Sequence, residues 1–230
     1  MTRVKLCGLR RPQDADIMNA CHPDYVGFVF ASSRRQVSAA EAKEIAGRLD
    51  PDIRRVGVFA GNPPDEVARV AAEVGLFAVQ LHFDTTPEYF SGLKVELRAR
   101  AGEGIEIWQR IAVPDTAGSA ADILTRTVGY PPLSSFDALL FDVVVSGKDG
   151  GSGVPFPWKI GKAALEALRP LRQRIIVAGG INARNVREAI QVFSPYAVDA
   201  SGSLETDGYK DRDKVEEFIR AVRERRDGNE

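Results

Sequence analysis

Residues 175–192 read IIVAGGINARNVREAIQV, and they form one complete strand–turn–helix unit. The apolar run 175–179 has the length and the β-branched content of a buried strand. Gly179 and Gly180 make the turn, and Asn182 is placed to cap a helix over 183–192. A glycine turn that leads into a helix N-terminus offers backbone N–H groups and positive potential, so this unit also suits a phosphate.

Similar units fill the rest of the chain, which has seven further apolar runs. These runs lie at residues 3–8, 25–30, 55–60, 78–83, 105–111, 137–143 and 197–201. Helix start signals lie between them: Ser38 with Glu41 makes a capping box, Pro64 opens a helix that ends near Gly75, and Thr86 precedes another. Strict alternation predicts a parallel sheet with right-handed crossovers. Eight units in about 200–250 residues predict a closed (β/α)8 TIM barrel, whereas a flavodoxin-like sheet needs about five. We expect one domain, 1–230, with a frayed tail at 227–230.

Composition and charge narrow the class of protein. The 230 residues are 44% hydrophobic and 27% charged, and the formal net charge of -1 gives no global attraction to nucleic acid or to an acidic membrane. Two cysteines without a CxxC pattern and only two histidines argue against a disulfide framework and against structural zinc. The chain has no apolar N-terminal segment and no run of transmembrane length, so we expect a cytoplasmic protein.

Side-chain alternation assigns polar residues to the inside of the predicted barrel. Lys5 and Cys7 share one face of the first strand, and His82, Asp142 and Asp199 lie opposite large apolar neighbours in their own strands. The apolar faces should meet the helices. The polar residues should then gather near the C-terminal mouth, where the active sites of such barrels lie.

The loops after the seventh and eighth strands predict a phosphate site. Gly179 and Gly180 follow one strand, and Ser201-Gly202-Ser203 follows the next. These two loops form the usual phosphate site of a barrel, although ordinary glycine-rich turns would look the same. Gly151 and Gly153 lie in a third glycine-rich stretch, 147–153, which could close over a ligand.

Cys7 and Asp142 are candidates for acid–base chemistry. A cation such as Lys5 would lower the pKa of the thiol from about 8.5. An acid and a base on opposite faces of a bound sugar would act as an isomerase. The rival role for Cys7 is that of a nucleophile with His82 as its base, although His82 could be too distant. Cys21 is interpreted as inert core. Arg35 is either a solvated loop charge or a residue that binds a carboxylate.

Taken together, these motifs resemble the phosphoribosylanthranilate isomerase family over nearly the whole chain. The stretch 4–15, VKLCGLRRPQDA, resembles the opening motif that carries a catalytic cysteine, and 139–143, LLFDV, resembles the motif that carries a catalytic aspartate. The segments 26–38, 178–186 and 197–205 continue the same order. Phe83, Pro157 and the order Ser201-Gly202-Ser203 depart from the family pattern.

The resemblance implies an Amadori rearrangement of N-(5'-phosphoribosyl)anthranilate to 1-(2-carboxyphenylamino)-1-deoxyribulose 5-phosphate. It implies that Asp142 is the general acid, that Cys7 is the general base, and that Arg35 contacts the anthranilate. It places His82 and Asp199 beside the ligand and implies no metal or organic cofactor. Such barrels occur as monomers or homodimers. Two alternatives stay open: a paralogue that isomerises another phosphorylated amino sugar, and a non-catalytic barrel that binds a phosphosugar.

Overall fold

A computed structural model of the chain describes residues 1–114, 116–144 and 158–224, and it has the predicted barrel. Eight parallel strands close in the order in which they occur in the sequence. The strands are β1 (Arg3–Cys7), β2 (Tyr25–Val29), β3 (Arg54–Phe59), β4 (Ala78–Leu81), β5 (Glu106–Pro114), β6 (Ala138–Val144), β7 (Arg174–Val177) and β8 (Ala197–Ala200). The predicted tail 227–230 and the stretch 147–153, with Gly151 and Gly153, lie outside the described residues.

Helices follow the strands around the outside of the barrel. They are α1 (Pro12–Cys21), α2 (Ala39–Ala46), α3 (Pro64–Val74), α4 (Pro87–Ala101), α5 (Ala120–Leu124), α6 (Trp158–Leu168), α7 (Val186–Phe193) and α8 (Arg212–Arg223). A two-stranded hairpin, β9 (Glu205–Thr206) and β10 (Tyr209–Lys210), precedes α8. Within the described ranges, no helix is long and apolar enough to cross a membrane.

Local capping explains where most of these helices begin. Ser38 and Glu41 form the predicted capping box, Thr86 accepts a hydrogen bond from the backbone of Tyr89, and Gly75 ends α3 with φ of 69°. The predicted start of α7 at Asn182 is wrong, because the helix begins at Val186. Asn182 instead accepts a hydrogen bond from the backbone N–H of Arg184 in a turn before the helix.

The barrel has two apolar layers, of which the alternation predicted only the outer one, against the helices. Outward-facing strand residues such as Val4, Leu6 and Phe141 pack against the helices in the larger core. A smaller core fills the barrel itself, and it consists of Tyr25, Val56, Ala78, Trp108, Ala138, Leu140, Ile176, Ala178 and Ala197. The interior below the mouth is therefore packed with apolar side chains.

Candidate active site

Cys7 ends β1 and lies buried inside the mouth. Its thiol is free and the residue is 8% exposed. The neighbouring strand makes room for it with Gly27, where an added Cβ would lie 2.6 Å from Cys7 Sγ. Burial raises the pKa of the thiol above its ordinary value, although Lys5 and Lys210 act to lower it. Lys5 thus lowers the pKa of the thiol as expected, but the cost of burying the thiolate is larger, so the net shift is upward.

Lys5 and Asp199 form a buried ion pair beside the thiol. The Nζ atom of Lys5 donates to Oδ2 of Asp199 at 2.8 Å, and Lys5 is fully buried. Burial lowers the pKa of Lys5, but Asp199 and Cys7 outweigh it and hold the pKa above its ordinary value. The second oxygen of Asp199, Oδ1, is buried and has no hydrogen-bond partner among the described residues. It can accept a hydrogen bond from a hydroxyl group of a ligand in the barrel.

Asp142 lies near the C-terminal end of β6 and points into the same mouth. Its Oδ2 lies 3.4 Å from Nε2 of His82 and 3.8 Å from Nε of Arg110. Burial raises the pKa of Asp142 to about 6, against the opposing attraction of Arg110. A carboxyl group with this pKa is partly protonated near neutral pH, so it can donate a proton to a bound substrate.

His82 lies next to the carboxylate of Asp142, and its protonation state determines how it affects that carboxylate. Burial, with the charges of Arg110 and Lys5, lowers the pKa of His82 to about 3, so the imidazole is neutral. Gln80 Nε2 lies 3.4 Å from Nδ1 of the ring, and the other ring nitrogen, Nε2, faces Asp142. The described contacts of His82 are therefore with Asp142 and Gln80. Among the described residues, no contact joins His82 to Cys7, as it would if His82 were the base for a cysteine nucleophile.

Arg35 is anchored at the rim between the β2 loop and the hairpin. Its Nε and Nη2 donate to the two carboxylate oxygens of Glu205 at 2.6 Å and 3.0 Å. Lys210 is fully buried in its side chain and donates to the same carboxylate at 3.1 Å. The stem of Arg35 crosses Gly8, where an added Cβ would lie 2.6 Å from Arg35 Cδ. Arg35 is thus held in a fixed position rather than solvated as a loop charge.

The loops after β7 and β8 meet where the phosphate site is predicted. Gly179 and Gly180 have φ of 81° and 67°, a region that favours glycine. Ser203 Oγ donates to the carbonyl of Ile181 at 2.7 Å, and Ser201 Oγ donates to the carbonyl of Cys7 at 2.9 Å. Gly202 begins a short 3-10 helix, Gly202–Leu204. These bonds join the two loops to each other and to the end of β1, so a group bound here lies close to the thiol.

Sequence reasoning missed four residues that shape the mouth. They are Gly27, Arg110, Glu205 and Lys210. Arg110 could have been found by alternation, because it shares a strand face with Trp108, an inner-core residue. Gly27 could have been found as a glycine within a strand, which marks a close approach. No group of three or more His, Cys, Asp or Glu within the described ranges could hold a metal ion. Cys21, on α1, is 7% exposed and packs in the hydrophobic core, in agreement with its interpretation as core.

Comparisons with known proteins agree with this geometry. The family model described as N-(5'phosphoribosyl)anthranilate (PRA) isomerase matches residues 4–221. The N-(5'-phosphoribosyl)anthranilate isomerase of Acetivibrio thermocellus is 40% identical over 224 residues, which is 97% of each chain. The crystal structure of phosphoribosyl anthranilate isomerase from Thermotoga maritima is similar with a TM-score of 0.78 and 32% identity, covering 96% of this chain and 98% of that one. A second structure, with a TM-score of 0.76, 31% identity and the same coverage, is a phosphoribosyl anthranilate isomerase in complex with reduced 1-(o-carboxyphenylamino)-1-deoxyribulose 5-phosphate.

Proposed function

The chain belongs to the N-(5'-phosphoribosyl)anthranilate isomerase family of tryptophan biosynthesis, and we propose that its reaction is carried by Asp142 and Cys7 at the barrel mouth. The reaction is the Amadori rearrangement of N-(5'-phosphoribosyl)anthranilate to 1-(2-carboxyphenylamino)-1-deoxyribulose 5-phosphate. The observation that carries the proposed roles is the largely buried carboxyl of Asp142 at the mouth, 19% exposed, whose pKa of about 6 suits an acid at neutral pH.

Asp142 acts first, as the general acid. It donates its proton to the ring oxygen of the ribose, the bond from that oxygen to C1 breaks, and C1 becomes an iminium carbon bonded to the anthranilate nitrogen. The neutral ring of His82 lies beside the carboxyl, with Nε2 3.4 Å from Oδ2. Because it carries no charge, it favours the ionised form of Asp142 less than an imidazolium would.

Cys7 acts second, as the general base. Its thiolate removes the proton from C2, and the electron pair neutralises the iminium to give an enolamine. The enolamine then loses its hydroxyl proton and gains one at C1, which yields the aminoketone with no net gain or loss of atoms. Burial disfavours the thiolate in the free protein. The iminium formed in the first step is a cation beside the thiol, so it favours the thiolate when the base is needed.

The remaining predicted residues position the substrate. We assign the phosphate to the backbone amides of the loops at 179–180 and 201–203, because these loops are bonded to each other and to the end of β1 through the hydroxyls of Ser203 and Ser201. The unpaired Oδ1 of Asp199 accepts a hydrogen bond from a ribose hydroxyl. Arg35, fixed by Glu205, contacts the anthranilate. Fixing the phosphate orients the sugar between acid and base, which contributes up to several kcal/mol, on the order of the effects measured for positioning.

Complementation tests this function. A tryptophan auxotroph that lacks the isomerase should grow without tryptophan when it expresses this protein. Cys7→Ala and Asp142→Asn should each abolish growth while the protein stays folded. Growth with either variant would contradict the assigned role of that residue. Absence of growth with folded wild-type protein would favour a paralogue or a non-catalytic phosphosugar-binding barrel.

A further inference from the structure

Arg110 is an interior arginine with no role in the proposed acid and base steps. It lies on β5 at the mouth, and its side chain is 16% exposed. Its Nε is buried and has no hydrogen-bond partner among the described residues. The carboxylate of Asp142 is 3.8 Å away, which is beyond hydrogen-bond distance. A buried guanidinium N–H without a partner is unfavourable, so this position suits an anion that arrives with a ligand.

The other buried cations around the mouth already have carboxylates at hydrogen-bond distance. Lys5 donates to Asp199 at 2.8 Å, and Lys210 donates to Glu205 at 3.1 Å. Arg35 uses Nε and Nη2 on Glu205. Among these described cations, Arg110 therefore has the donor that is most available for a new partner.

The position of β5 in the barrel indicates which anion would reach Arg110. The proposed phosphate loops follow β7 and β8, and the reacting carbons lie between Cys7 on β1 and Asp142 on β6. Strand order then places β2 to β5 along the remaining side of the mouth. The anthranilate ring, at the end of the substrate opposite the phosphate, extends towards that side. Its carboxylate matches the planar fork of an arginine, which can form two parallel hydrogen bonds.

We propose that Arg110 binds the anthranilate carboxylate of the substrate, together with Arg35, and thereby makes turnover depend on that carboxylate. This inference rests on the proposed function. It assigns to the mouth a second arginine for the same group, on the strand next to the acid.

The same contact would link carboxylate recognition to the acid. The charged and titratable groups that face Asp142 are His82 from β4, Arg110 from β5, Lys5 from β1 and Asp199 from β8. Arg110 attracts the ionised form of Asp142. A substrate carboxylate on Arg110 offsets that attraction, so burial then keeps the proton on Asp142 until the ring oxygen receives it.

A pair of substrates tests the inference. Initial rates are measured for N-(5-phosphoribosyl)anthranilate and for N-(5-phosphoribosyl)aniline, which lacks the carboxylate, with wild type and Arg110→Met. Wild type should prefer the carboxylate substrate by roughly 100-fold in kcat/KM, the size expected for charge-assisted hydrogen bonds. Arg110→Met should reduce this preference to within about fivefold, whatever its absolute rate on the aniline substrate. Arg126→Met removes one exposed positive charge near Tyr130 on the same rim, and it should keep the wild-type preference.

The outcomes separate the inference from the proposed function. An unchanged preference in Arg110→Met, whether both rates fall equally or neither falls, would overturn the inference. If Arg110→Met does not fold, Arg110→Lys decides by the same ratio, since a point charge should keep only about a tenfold preference. If folded wild type turns over neither substrate, the proposed function fails. Calorimetric binding of the reduced product, with and without its carboxylate, then tests Arg110 directly. Only wild type should prefer the carboxylate form. A preference in the variant as large as that of wild type would refute the role of Arg110.

Discussion

Replacing Asp142 by Asn should make the protein more stable at pH 8 while it removes the general acid. Burial raises the pKa of Asp142 from 3.8 to about 6. The folded state therefore holds this proton more tightly than the unfolded chain does. It follows that the free energy of unfolding falls as the pH rises from about 4 to about 6, and that the loss is complete above this range.

The size of the effect follows from that change in pKa. At about 1.36 kcal/mol for each tenfold change in proton affinity, the ionised carboxylate costs the folded state about 3 kcal/mol. The Asn side chain keeps an oxygen that can accept from Nε2 of His82, and it carries no charge. Asp142→Asn should match wild type below pH 4 and should exceed it by about 3 kcal/mol at pH 8.

Urea unfolding between pH 4 and pH 8 measures this difference. Asp16→Asn, an exposed position on α1, is the matched control and should stay within about 0.5 kcal/mol of wild type throughout. A stability difference that does not change with pH would show that burial does not raise the pKa of Asp142. A wild type that gains on the variant as pH rises would reverse the sign of the argument.

Two further substitutions test how the mouth is built. Gly27→Ala would place Cβ 2.6 Å from Cys7 Sγ, so it should destabilise by about 1–3 kcal/mol and lower kcat about 100-fold. The stability loss should shrink in a Cys7→Ala background, and an equal loss in both backgrounds, measured by urea unfolding, would exclude the thiol clash. Lys5→Met should cost about 3–5 kcal/mol because it leaves Asp199 buried without its partner. In the double variant with Asp199→Asn the loss should be smaller than the sum of the single losses, and additive losses in the unfolding curves would argue against a buried ion pair.

The fold could be predicted from the sequence because its signals are local. The alternation that puts Val4 and Leu6 on one face of β1 and Lys5 and Cys7 on the other is a property of any strand. The same is true of the capping box at Ser38. The start of α7 could not be placed from the sequence because asparagine at 182 or at 185 is an equally typical N-cap. The turn decides between them, and in it both side-chain amides donate to the carbonyl of Gly180.

The electrostatics of the site could not be predicted in the same way. The pKa of Cys7 depends on two opposing effects, burial and the charges of Lys5 and Lys210, and sequence spacing shows the cation but not the depth of the thiol. Lys210 and Glu205 reach the mouth from a hairpin after β8, so no local pattern links them to β1. His82 illustrates the same limit, because its contact with Asp142 depends on the closure of the barrel.

The central claim is that Cys7 and Asp142 carry out the isomerisation as base and acid, and turnover of N-(5'-phosphoribosyl)anthranilate by purified protein tests it most directly. The rate is followed as the loss of anthranilate fluorescence for wild type, Cys7→Ala and Asp142→Asn, each checked for a folded barrel by circular dichroism. Wild type should turn over the substrate, and each variant should lose at least about 100-fold in kcat, the usual contribution of an acid or base. A folded Cys7→Ala or Asp142→Asn protein that retains the wild-type rate would contradict the account.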